Sequence, residues 1–166
     1  MQTLLDEALE AWAYTRQGVI AEVRNLPAGR FDARPAEGGR TAAEVVRHII
    51  ESGLMMAGEL TRPDGDFTRK PYPKLVAEYS PGLSRVRTKA QLLDRLARSH
   101  ADGDRRIRKA GERFMLQYIT RFDSLDGTRL AWMHHGISHE EYHRGQLALF
   151  ARLVGKVPAL TRLIHG

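Results

Sequence analysis

Seven histidines are spread over the 166-residue chain, and four of them fall in one stretch, RLAWMHHGISHEEYHRGQLALFARL, residues 129–153. Imidazole both holds transition metals and titrates near neutrality, so this stretch is where chemistry is first sought. On a helical wheel at about 100° per residue with His139 at zero, His143 falls at about +40° and His135 at about −40°. Trp132 and Phe150 fall near +20° and Gln146 near −20°, whereas Glu140, Arg144 and Glu141 occupy roughly 100° to 200°. The pattern predicts a helix whose histidines share the aromatic, buried face and whose charged residues face solvent. Buried imidazoles without partners cost free energy. Residues four apart on a helix have Cβ atoms about 5–6 Å from each other, a spacing from which two imidazoles chelate one ion. His139 and His143 are therefore candidate metal ligands. The competing reading, core histidines satisfied by neighbouring side chains, predicts no bound ion.

Two imidazoles leave a site incomplete, so a further donor must come from another helix. His48, in VVRHIIES at the border of an apolar arc, is one candidate. His100, one turn after Leu96 on an apolar stripe, is the other. His134 lies on the solvent side of its helix and His165 in the tail. The chain has no cysteine, which excludes disulfides, thiolate metal sites, CxxC redox chemistry and a cysteine nucleophile. Any metal must be held by nitrogen and oxygen.

The elements that must position these residues are four helices. Leu5, Ala8, Leu9, Trp12, Val19, Ile20 and Val23 recur near a 3.6 spacing and predict a first helix from about Thr3 to Leu26, ended by Pro27 and Gly29. Thr41-Ala42-Ala43-Glu44 is a capping box that opens a second helix, reaching about Leu60. The stretch RPDGDFTRKPYPKLVAEYSPGLSRVR follows, long enough to act as a lid or binding loop. Its Arg62, Arg69, Lys70 and Lys74 could bind an anionic substrate. Thr88-Lys89-Ala90-Gln91 is a second capping box and opens the third helix. After Gly111 the segment FMLQYITRFDSLDG is compatible with a short extended piece, and Thr128 can cap the fourth helix, which stops at Gly155 and Pro158. These features predict an all-α four-helix bundle with long connections after the second and third helices, a single domain over residues 1–166.

A histidine in the second helix of a bundle, followed much later by H-x-x-x-H-R-G-Q, resembles the DinB-like metal-binding four-helix proteins. Here those features are His48 within TAAEVVRHIIES and His139-Glu140-Glu141-Tyr142-His143-Arg144-Gly145-Gln146. The family's frequent R-x-x-G-x-x-P ending is matched by Arg152, Gly155 and Pro158. The resemblance implies one divalent metal held by His48, His139 and His143, and favours His48 over His100. Three neutral imidazoles with an open position form the catalytic rather than the structural pattern. Imidazole ligands suit Zn or Ni first, with Fe or Mn also accommodated. Glu44, one turn before His48, and Gln146 are placed to orient ligand rings, and His135 could line the pocket or shuttle protons.

Characterised relatives include enzymes that use a low-molecular-weight thiol as nucleophile. The expected function is thus a metal-dependent enzyme, a thiol S-transferase or a hydrolase, acting on a small-molecule substrate. The alternative is a non-catalytic bundle that binds metal or nucleic acid, with a link to stress. The net charge of +6 permits nucleic-acid binding. However, the basic run Arg105-Arg106-Ile107-Arg108-Lys109 lacks interleaved aromatics and a recognition-helix signature, which argues for a solvated helix end. No apolar run reaches the roughly 18 residues of a membrane span, and MQTLLDEALEAW is no signal peptide. A cytoplasmic protein is expected. The family often dimerises, so a homodimer is expected as well.

Overall fold

Threonine caps open the four long helices of the computed structural model, which describes residues 2–166. In α1 (Leu4–Asn25) the Thr3 hydroxyl accepts from the Asp6 amide at 3.1 Å, and the Asp6 carboxylate accepts from the Thr3 N–H at 3.0 Å. Thr41 and Glu44 repeat the device at the start of α2 (Ala42–Leu60). The connection after α2 contains a short helix, α3 (Tyr72–Tyr79), which packs back on α2. Thr88 and Gln91 open α4 (Lys89–Ala110), which stops at Gly111 with φ +79°, a left-handed conformation suited to glycine. A single-turn helix, α5 (Glu112–Met115), then leads to a hairpin of β1 (Tyr118–Thr120) and β2 (Asp126–Thr128). Thr128 closes the hairpin and caps α6 (Arg129–Leu153) by accepting from the Ala131 amide at 3.0 Å. The chain finishes in α7 (Ala159–His165).

The four long helices form the expected bundle. α1 and α2 each pack mainly against α4 and α6, which places α1 and α2 on a diagonal. The two strands pair antiparallel, Tyr118 opposite Thr128 and Thr120 opposite Asp126. The hairpin also ties down the long connection, because the Phe67 amide donates to the Thr120 carbonyl and the Thr120 amide to the Gly65 carbonyl, both at 3.0 Å. The FMLQYITRFDSLDG segment is thus a helical turn and a hairpin.

Two apolar clusters fill the interior. One gathers Val19, Val23, Val46, Ile50, Leu92, Leu96, Leu147 and Phe150, the other Leu9, Trp12, Leu60, Phe67, Ile107, Met115 and Met133. Truncating a large buried side chain such as Trp12 to alanine costs about 3–5 kcal/mol. Arg16 lies between the Trp12 and Val19 layers of α1 and is buried with Ser99 and Glu140, so the apolar clusters are separated by a polar belt. His139, next to Glu140 in α6, sits level with that belt.

Candidate metal centre

His48 projects from α2, and His139 and His143 project one turn apart from the facing α6. The Nε2 atoms of His48 and His143 each lie 3.1 Å from Nε2 of His139. All three donor atoms are within 4.8 Å of one another. The rings meet edge to face, with interplanar angles of 71°, 84° and 78°. One proton can bridge two of these nitrogens but not three, so neutral imidazoles converging this way need an electron-pair acceptor. Nitrogens about 2.0–2.1 Å from a common transition-metal ion lie about 2.9–3.4 Å apart at octahedral to tetrahedral angles, and both distances to His139 fall in that range. Among the described residues no carboxylate joins the cluster.

The protonation state suits ligands. Nδ1 of His143 lies 2.8 Å from Oε1 of Gln146. An amide oxygen only accepts, so Nδ1 donates and the Nε2 lone pair faces the cluster. Burial, with the Arg40 guanidinium and the two facing imidazoles, pushes His48 down to about 4. Burial likewise lowers His139 and His143, the latter against a smaller opposing effect of the Gln146 hydrogen bond. At neutral pH all three are uncharged.

The remaining candidates are placed elsewhere. Glu44 does not orient His48: its carboxylate accepts from the Thr41 N–H and pairs with Arg34, which leaves it a helix cap. His100 stacks on Trp12 with ring centroids 4.5 Å apart, away from the three-histidine cluster, and its buried Nε2 has no partner. His135 is exposed and stacks on Trp132 at 4.9 Å. His134 and His165 are exposed.

The wheel expectation for α6 needs correction. Its most buried stripe runs through Met133, Ile137, Glu140, Arg144, Leu147 and Ala151; His143 is buried as expected, at 4% exposure, while His139 is half-buried at the edge. Glu140 is 3% and Arg144 7% exposed, although both were expected to face solvent. The Glu140 carboxylate pairs with Arg16 through Nε and, at 2.9 Å, through Nη2, and also accepts from Trp12 Nε1 at 3.1 Å. Arg16 in turn donates to the Leu96 carbonyl at 2.8 Å and Ser99 Oγ at 3.0 Å. Sequence reasoning missed this pair; the one available signal was an arginine on the apolar stripe of α1. Arg144 lies across Gly18, where an added Cβ would fall 2.2 Å from its guanidinium carbon.

A cavity of about 310 Å³ opens beside His139, bounded by Met55, Met56, Tyr72, Phe122 and Trp132, with Ser52, His135 and Glu140 at its margins. The cations of the long connection are not free to line it. Arg62 pairs with Asp64, Arg69 with Glu59 and Glu78, and Lys70 with Glu78. Lys74 is exposed outside the cavity lining.

No curated protein matches the chain. Among solved structures, YfiT from Bacillus subtilis superposes with a TM-score of 0.72 at 15% identity, over 92% of this chain and 88% of that one. It is described as "a probable metal-dependent hydrolase with an unusual four-helix bundle topology". YjoA from Bacillus subtilis, a DinB-like protein, superposes with a TM-score of 0.68 at 17% identity, over 91% of this chain and 93% of that one. At such identities the likeness concerns the fold. The sequence itself matches the model of the DinB superfamily over residues 6–147, from the first turn of α1 through the HRGQ segment of α6, and the protein belongs to that superfamily.

Proposed function

We propose that the protein is a metal-dependent hydrolase acting on a small molecule, with a divalent ion held by Nε2 of His48, His139 and His143. The observation that carries this reading is the convergence of three neutral imidazoles at the edge of an apolar cavity. The description of YfiT supports hydrolysis as the reaction class. When bound by these three imidazoles, Zn or Ni first and Fe or Mn next would supply Lewis-acid chemistry, lowering the pKa of a water or polarising a substrate oxygen or thiol.

The chain's own residues divide the remaining work. Gln146 fixes the tautomer and orientation of His143. Arg16 and Trp12 hold the Glu140 carboxylate in the belt, so the residue next to His139 adds no negative ligand. The aromatic walls exclude water and seat the non-reacting part of the substrate. His135, one turn before His139 on the cavity margin, accepts or returns a proton there.

Elemental analysis of untagged protein purified without chelators tests the metal site, beside His48→Ala and His139→Ala. Near one metal per chain, absent from both variants, is the expected result. Metal retained by His48→Ala moves the third donor elsewhere, and a parent that takes up neither Zn nor Ni overturns the mechanism. Screening the loaded protein with and without a low-molecular-weight thiol then separates hydrolysis from thiol S-transfer. With Leu149 and Leu153 exposed on α6, the reading extends to a homodimer, which sedimentation at two concentrations tests.

A further inference from the structure

We infer that the substrate group seated beside the histidine cluster is an uncharged aromatic ring. The inference rests on the proposed reaction centre and specifies which molecules it takes. The cavity measures about 310 Å³, and an apolar cavity of about 150 Å³ already holds benzene, so a substituted or fused ring fits. Its walls come from separate parts of the chain: Met55 and Met56 from α2, Tyr72 from α3, Phe122 from the hairpin turn and Trp132 from α6. Phe122 stands at the centre of an aromatic cluster, 5.7 Å from Tyr72, 5.9 Å from Trp132 and 5.2 Å from Phe67, all tilted or edge-on. Such edges and faces pair with another ring, and the two methionines adapt to its outline.

Charge argues the same way. Arg121 stands 5.5 Å from the Trp132 ring, but its guanidinium is paired with Asp123 through Nε and Nη2. Glu140 is saturated by Arg16 and Trp12. Arg62, Arg69 and Lys70 of the nearby connection are paired with Asp64, Glu59 and Glu78, and Lys74 lies outside the cavity lining. Away from the histidine cluster itself, a carboxylate or phosphate placed against these walls would be desolvated without a counter-charge, which is unfavourable.

Calorimetric titration with a matched pair of probes, benzyl alcohol and para-hydroxymethyl benzoate, tests the inference on both metal-loaded and chelator-stripped protein. Benzyl alcohol is expected to bind at least about tenfold more tightly to the chelator-stripped protein, where no ion can take up the carboxylate, and to keep that affinity in the metal-loaded form. Phe122→Ala should weaken it about tenfold through the lost ring contacts. Ser52→Phe, which fills the cavity margin, should abolish it, with urea midpoints verifying that each variant is folded. Equal or tighter binding of the benzoate to the stripped protein, or benzyl alcohol binding indifferent to both substitutions, would overturn the inference. Failure of the reaction-centre reading is separate: it appears as absent metal in elemental analysis while benzyl alcohol still binds.

Discussion

Glu140 follows His139 in the sequence but is held by a residue 124 positions away. Its carboxylate and the Arg16 guanidinium are both nearly inaccessible to solvent. Removing one partner of such a pair leaves a buried charge uncompensated, so Glu140→Gln should destabilise the fold by about 3–5 kcal/mol, read from urea unfolding. Gln146 acts in the opposite register. It is half-buried and touches the cluster only through His143. Gln146→Leu removes the acceptor at similar size, and metal affinity should fall about 10–100-fold. A competition titration with a chelator checks this, and an unfolding midpoint near that of the parent would show that the loss is local.

At the scale of elements, α6 is the framework of the site, since it carries His139, His143 and Gln146. Thr128 supplies its N-terminal cap and ends the hairpin. Thr128→Ala should cost about 1 kcal/mol of stability, measured by chemical denaturation. The starts of α2 and α4 were legible because a capping box is a local device, satisfied within four residues of chain. The buried face of α6 was not legible. A wheel sorts residues by type, whereas Glu140 is buried because Arg16 meets it from another helix. The pair His139 and His143 followed from helical spacing alone. The choice between His48 and His100 did not, because both lie on apolar arcs, and packing across helices brings one to the cluster while Trp12 takes the other. The long connection yielded its cations to inspection but not their partners, Glu59 and Glu78, which become neighbours only when α3 folds back on α2.

The whole molecule feels the cluster through pH. In the metal-free protein His48 titrates at about 4 against 6.5 for an ordinary imidazole. Above the unfolded value both states are neutral and the group adds no pH dependence. Below it the unfolded chain binds a proton that the native state refuses, so stability falls as pH drops from 6.5 toward about 4. His139 and His143, lowered in the same direction, add to the slope. Urea midpoints at several pH values in this window should show that decline, and His48→Asn should flatten part of it.

Two of the cluster's donors are four residues apart and the third is 91 residues from its neighbour. For a chain still folding, these are different events. The α6 pair can chelate an ion as soon as one helical turn forms, whereas His48 joins only after a long loop has closed against its entropy. His135 and His139 share the same one-turn spacing, so a nascent helix presents a second chelate displaced by a turn. On the proposed reading, the arrival of α2, with a single histidine at the matching height, would select between these registers, and the bound ion would become a record of correct helix docking.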